Sequence, residues 1–257
     1  MSTPLIIAHR GASAVAPENT LAAFHAAIDT GVDGIEFDVQ LSSDGVPVVF
    51  HDFDLRRIAR RDERVASLTA AELSSVDVGR WFNERHRKHA NDAFDGEGIS
   101  ILETVLDLLS DFRGKIYVEL KADADNVLAL TAAVCRVLSG SPLGPLVIVK
   151  SFRLAAIPEV RRLLPGVQTA ALFAPQISDY LRRKRYLIDL AREFGADQLS
   201  LHSSLASEKL CSLAKDSGLP VTIWTVDKPK WIGRAQTRGI GALITNDPAK
   251  MLAARNS

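Results

Sequence analysis

The chain has 257 residues, with 31 Lys+Arg against 31 Asp+Glu, so its formal net charge is zero and nothing in that balance points to nucleic acid as a partner. The length approaches the roughly 250 residues of one (β/α)₈ barrel, and a hydrophobic fraction of 47% supports a sizeable core. No apolar run nears the roughly 18 residues that a membrane span needs, and the opening MSTPLIIAHRG lacks the basic start of a signal peptide; the expectation is a soluble, cytoplasmic protein without membrane insertion.

Short β-branched runs alternate with longer amphipathic stretches. Strands are predicted at 5–9, 33–39, 115–120, 146–151, 167–173, 197–202, 220–226 and 241–245, with helices at 18–30, 101–110, 124–139, 153–164, 176–194, 205–217 and 228–238 between them. Strands alternating with helices imply parallel pairing and right-handed crossovers. Eight repeats in this length favour a closed (β/α)₈ TIM barrel occupying 1–257 as one domain. A doubly wound sheet is the alternative, but its GxGxxG phosphate signature is absent. Cys135 and Cys211 lie in apolar helical patterns at no metal-ligand spacing and read as buried thiols.

Two stretches break the alternation. The second strand runs on to Asp44-Gly45 and returns as VPVVFHD, a hairpin signal. With Asp44 and Gly45 as a two-residue loop, Ser43 faces Val46 and Asp38 lies opposite His51, bringing a carboxylate and an imidazole onto one face. The following segment, 53–98, is charge-rich (RRIARRDER) and carries a capping-box helix start, Thr69-Ala-Ala-Glu72. It is expected to be a small inserted cap after strand 2, its arginines forming a solvated face.

In such a barrel the chemistry sits at the C-terminal ends of the strands. There the sequence places His9 and Arg10, Glu36 and Asp38, His51, Glu119 and Lys121, and Trp224. Residues two apart on a strand share a face, so Glu36, Asp38 and Glu119 project into one mouth. Three such carboxylates repel one another unless a cation lies among them. Oxygen donors suit one hard divalent ion, Mg²⁺ or Ca²⁺; the alternative is a buried network with Arg10 and Lys121. His9 and His51 supply a general acid and a general base near neutral pH, Arg10 and Lys121 suit phosphate, and Trp224 lines the pocket or packs in the core. Glu18 reads as a first-turn carboxylate or a partner for Arg10, His202 as a weaker pocket candidate, and His25, His86 and His89 as bystanders. Ser13 has no assignable partner.

The segments HRGASAVAPENT, GVDGIEFDVQLSSDGVPVVFHD and IYVELK, followed by LTAAEL, ISILETVLDLL, KSF, VTIWTVD and GALITNDP, resemble the signature order of the glycerophosphodiester phosphodiesterase family over the whole chain. The resemblance implies a barrel with an insertion after strand 2 and one divalent ion. Carried over residue by residue, it implies Glu36, Asp38 and Glu119 as ligands, His9 and His51 as the acid/base pair, and Arg10 and Lys121 as phosphate contacts. The implied reaction is hydrolysis of a small-molecule glycerophosphodiester to glycerol 3-phosphate and an alcohol. Ser100 stands where the family often has Pro, and Asn246 where an Asp is frequent. Alternatives are a phospholipase D-like or phospholipase C-like relative acting on lysolipid headgroups, which would need an apolar lip on the insertion, and a non-catalytic phosphate-ligand binding barrel, which would be expected to have lost one of the five histidines and carboxylates.

Overall fold

A computed structural model describes residues 3–175 and 184–257. Nine strands are found among them: β1 (Leu5–His9), β2 (Gly34–Leu41), β3 (Pro47–Val49), β4 (Lys115–Leu120), β5 (Val147–Ser151), β6 (Gln168–Phe173), β7 (Gln198–His202), β8 (Val221–Trp224) and β9 (Ala242–Thr245). All but β3 are parallel, and β1 pairs with both β2 and β9, which closes an eight-stranded barrel. The fold is a TIM barrel, with β3 appended antiparallel to β2.

The two-residue period of each strand sorts its side chains. Ile6, Ala8, Ile35, Phe37 and Val118 pack outward into the main core against the helices. Ile7, Tyr117, Ile148, Ala170, Ala242 and Ile244 form the inner cluster of the barrel. Helix Leu21–Asp29 shows the outer packing: Thr20 caps its start, accepting from the Ala23 N–H, and Phe24 meets Phe37 with ring centroids 5.6 Å apart. The expected helix 176–194 is described from Lys184 to Glu193, and residues 176–183 lie outside the described residues. A helix not anticipated, Pro248–Asn256, follows β9; Asp247 caps it and Pro248 occupies its first turn. Among the described residues no helix is long and apolar enough to cross a membrane.

The hairpin differs by one residue from the expectation. Val39 pairs with Val49 and Leu41 with Pro47, and the Asp38 carbonyl accepts from the Phe50 N–H at 3.0 Å. His51 is therefore not opposite Asp38. The loop has three residues, Ser43 to Gly45, closed by Ser42 and Val46. Gly45, at φ +76°, takes the left-handed step that ends such loops. Gln40 compensates for the slip: its amide donates to the carbonyls of Phe50 and Asp52 at 2.9 and 2.7 Å, gripping the chain on both sides of His51.

Residues 53–98 carry the short helices Arg56–Ala59, Ala70–Ser74 and Arg80–Arg85. Leu55, Ile58, Val65 and Leu73 form an apolar cluster with Phe50 and Ile99, separate from the barrel core. The Thr69–Glu72 capping box is present, with both reciprocal hydrogen bonds.

Candidate active site

Strand register assembles the carboxylates. Glu36 is paired with His9 on one side, Asp38 with Glu119 on the other, and Glu119 with Lys150 beyond. Oxygens of Glu36, Asp38 and Glu119 lie within 4.8 Å of one another, and all three side chains are buried. Three cations answer them. Arg10 Nε is 3.1 Å from Asp38, Lys121 touches both Asp38 and Glu119, and Lys150 Nζ lies 2.6 Å from Glu36 and 3.0 Å from Glu119. Burial alone would push the Asp38 carboxyl up, but Lys121, Arg10, His51 and the Asn19 amide hold it well below the usual carboxylate range. Glu119 is likewise lowered: burial opposes this, and Lys150 and Lys121 prevail. Lys150 stays charged despite full burial, because Glu36 and Glu119 outweigh the desolvation.

Both alternatives for the carboxylates are thus represented in one arrangement. They are ion-paired, and they still converge as an all-oxygen donor set. Glu36 Oε1 lies 2.6 Å from Lys150 Nζ and Glu119 Oε1 touches Lys121, so a bound ion would share these oxygens with the two ammonium groups. The donor set fits a hard divalent ion rather than zinc.

The loop after β1 is bent to reach this cluster. Arg10 and Asn19 have positive φ (56° and 59°), as does Gly11 at 78°. A Cβ on Gly11 would lie 2.6 Å from the Ala23 carbonyl, so only glycine lets the loop lie on the first helix. Asn19 then clasps Asp38, donating to Oδ2 at 2.9 Å and accepting from its N–H at 3.2 Å. Arg10 donates to Glu18 at 2.7 Å. Glu18 precedes the Thr20 cap, so it is outside the first helical turn and serves Arg10 and Arg57 instead.

His9 and His51 each have Nδ1 engaged. His9 Nδ1 is 2.7 Å from Asn246 Oδ1, with its Nε2 4.0 Å from Glu36. Burial lowers the His9 pKa, against the pull of Glu36. His51 Nδ1 is 2.6 Å from Asp52 Oδ1, and Asp52 Oδ2 is in turn 2.5 Å from Arg57 Nε. Arg57 also donates to Glu18 and sits 5.7 Å over the Trp81 ring. It is an exception to the expectation of a solvated arginine face, since it ties the 53–98 segment to the site rim. Its neighbours Arg56 and Arg60 are exposed.

Trp224 stands at the C-terminal end of β8, partly buried. It packs on the inner barrel cluster and meets Phe152 and His202 edge-on, with centroids 5.8 and 5.2 Å away. Lys121 Nζ lies 5.8 Å from the Phe152 ring centroid, so these rings wall one side of the mouth. His25 and His86 are exposed, His86 stacking on Phe82 at 4.5 Å. Ser13, without a partner in the sequence reading, donates to Asn246 Oδ1 at 3.1 Å.

Residues 9–250 match the model of the Glycerophosphoryl diester phosphodiesterase family. The chain belongs to that family. By that membership it is a phosphoric diester hydrolase. A glycerophosphodiester phosphodiesterase of Caldanaerobacter subterraneus subsp. tengcongensis is 29% identical, the alignment covering 96% of each chain. A phosphodiesterase of Oleispira antarctica, solved in complex with the product sn-glycerol 3-phosphate, is 28% identical over 99% of this chain and 98% of its own, with a TM-score of 0.86. A Thermotoga maritima glycerophosphodiester phosphodiesterase, 24% identical over 98% and 99% of the two chains, has the same fold at a TM-score of 0.75.

Four residues of this family member were missing from the sequence reading. Lys150 shares the inner face with Ile148, two residues before it, but Val147, Ile148 and Val149 are all buried, so the apolar pattern alone did not say which face was inner. Phe152 lay in the KSF segment without a role. Asn19 reaches Asp38 only through its left-handed backbone, and Asp227 contacts Asn246 only because β8 and β9 are adjacent. Neither of these has a local sequence signal.

Proposed function

We propose that the chain hydrolyses small-molecule glycerophosphodiesters to sn-glycerol 3-phosphate and an alcohol. His9 and His51 act as the acid/base pair, Arg10 and Lys121 hold the phosphate, Trp224 lines the pocket, and Glu36, Asp38 and Glu119 hold one Mg²⁺ or Ca²⁺. The observation that carries this reading is two histidines, each with its Nδ1 engaged, beside a buried carboxylate triad at one barrel mouth. When bound, the ion supplies positive charge to a phosphoryl oxygen as the reaction proceeds.

The residues themselves order the proton transfers. The Nδ1 atoms of His9 and His51 meet Asn246 and Asp52, and with no side-chain nucleophile assigned, water and the substrate's own 2-hydroxyl remain; the hydroxyl is the proposed nucleophile, because it gains effective concentration from being in the same molecule as the phosphorus. His9, kept neutral by burial, takes the hydroxyl proton as the new O–P bond forms. His51, its ring held through Nδ1 by Asp52 Oδ1, protonates the departing alcohol oxygen as the old P–O bond breaks. Water then opens the cyclic phosphate with the two roles exchanged.

Residues 53–98 are read as a cap within a single catalytic domain, braced to the rim by Arg57. The lysolipid alternative loses support here. Phe82 is buried and Trp81 is half-buried near Arg57, so of the large apolar residues in this segment only Phe53 is exposed, too little for a continuous apolar lip.

The test offers the metal-loaded protein sn-glycero-3-phosphocholine, the corresponding lysophospholipid, and a glycerol analogue lacking the 2-hydroxyl. Release of sn-glycerol 3-phosphate from the first, with little turnover of the second, is expected. Preference for the lysophospholipid would overturn the substrate class. An analogue cleaved as fast as its parent at equal occupancy would transfer the nucleophilic role from the hydroxyl to water.

A further inference from the structure

Asp227 lies outside the carboxylate cluster, on the loop after β8, and the reaction as described does not use it. Its oxygens are nonetheless fully engaged. Oδ1 accepts from Thr245 Oγ1 at 2.9 Å and from the Asn246 backbone N–H at 2.8 Å, and Oδ2 accepts from Asn246 Nδ2 at 2.9 Å. The other end of the same amide, Oδ1, receives Ser13 Oγ at 3.1 Å and faces His9 Nδ1 at 2.7 Å.

An asparagine amide has one end that only donates and one that only accepts, and which end points where is decided by its neighbours. An ionised carboxylate accepts only. Asp227 therefore settles the matter at Asn246: Nδ2 must face it, so Oδ1 must face His9. An amide oxygen cannot donate, so the His9 nitrogen meeting it must carry the hydrogen. That leaves Nε2, on the side of Glu36, as the free lone pair.

We infer that Asp227 is a positioning residue that, through the Asn246 amide, fixes the Nδ1–H tautomer and ring orientation of His9. The inference deepens the proposed reaction and rests on His9 being its proton acceptor. A ring holding its hydrogen on Nε2 would present a donor where the substrate hydroxyl needs an acceptor. Outer partners that orient metal-bound histidines commonly carry about 10–100-fold of affinity or activity without touching the substrate, and a similar range is taken for His9. Ser13 adds a second donor to the same oxygen and can turn its hydroxyl to suit either amide orientation, so the polarity comes from Asp227.

The hydrogen-bond polarity dictates a test. In Asp227→Asn the new amide keeps its oxygen toward Thr245 and the Asn246 N–H, which places its NH₂ against Asn246 Nδ2. Two donors cannot face each other, so Asn246 turns over and offers its NH₂ to His9 Nδ1. The His9 hydrogen moves to Nε2. Adding Asn246→Asp reverses this: the carboxylate at 246 accepts from the amide at 227 and, with its other oxygen, from His9 Nδ1–H.

The readouts are the ¹⁵N shifts of His9 at pH 8 in ¹⁵N-histidine-labelled, metal-free protein, and kcat and KM for sn-glycero-3-phosphocholine with metal restored. Asp227→Asn is expected to move His9 to the Nε2–H tautomer and lower kcat by roughly 10–100-fold with KM within about twofold. The double variant is expected to return the Nδ1–H tautomer and most of kcat, a rescue that a merely structural role would not give. Should the single variant fail to fold, the double variant decides alone, by its tautomer and its kcat. An unchanged tautomer in Asp227→Asn, or a folded double variant with His9 on Nε2–H, overturns the inference. The tautomer is read without substrate, so an inactive wild-type protein with the expected shifts would count against the proposed reaction and not against this relay.

Discussion

At the scale of single residues, the site separates groups that carry charge from groups that move protons. His9→Ala and His51→Ala are each expected to lower kcat by roughly 10²–10⁴-fold with an unchanged circular dichroism spectrum; wild-type turnover in either variant would remove that residue from the reaction. The pH response has a defined sign. The His9 pKa is lowered, first by burial, so the neutral ring persists below the ordinary value of about 6.5. The acid limb of kcat/KM should accordingly have its midpoint below that value, and a midpoint above it would contradict the environment described. The same shift acts on stability. Between the folded value and about 6.5 the unfolded chain binds the proton more readily, so the contribution of His9 is complete above that window and is lost as pH falls through it. Asp38 and Glu119 have depressed values; their contribution is present above the ordinary carboxylate range and is lost only as pH falls through the lower folded values.

At the scale of elements, parity within strands was legible and pairing across the hairpin was not. Counting by twos from Glu36 placed Glu36 and Asp38 on one face, whereas β5 is apolar on both faces before Lys150, so the same count did not reveal Lys150. Asp44-Gly45 announced a turn, but a two-residue and a three-residue loop share that signal; the choice was made by Gly45 taking positive φ with Ser42 closing on Val46. That one-residue slip moved His51 off the position opposite Asp38, and Gln40 is what holds it in place. Gln40→Leu should therefore lower kcat while leaving KM nearly unchanged, because the carbonyls of Phe50 and Asp52 lose their donor and His51 is released. Unaltered kcat in this variant would show that the grip is unnecessary. The outward face gives a contrasting case. Phe37 is fully buried against Phe24, and Phe37→Ala should cost about 3–5 kcal/mol in denaturant unfolding; a loss below about 1 kcal/mol would mean that this contact does not anchor the first helix.

At the scale of the whole molecule, alternation of strand and helix was enough to anticipate the barrel, because eight parallel strands in this length have few other ways to bury both faces. The C-terminal helix Pro248–Asn256 escaped because its apolar face is weak, although Asp247-Pro248 is a good starting signal. Closure of β1 onto both β2 and β9 brings residues 9, 36, 119 and 246 to one rim, and the Asp227–Asn246–His9 contact depends on that closure. The barrel mouth holds three carboxylates among Arg10, Lys121 and Lys150, and the central claim is that this cluster still works with a divalent ion. The direct measurement is the rate of sn-glycerol 3-phosphate release by exhaustively chelated protein as Mg²⁺ or Ca²⁺ is added back. Turnover that is absent after chelation and returns saturably with one of these ions is the expected result; full turnover without any divalent ion would contradict it.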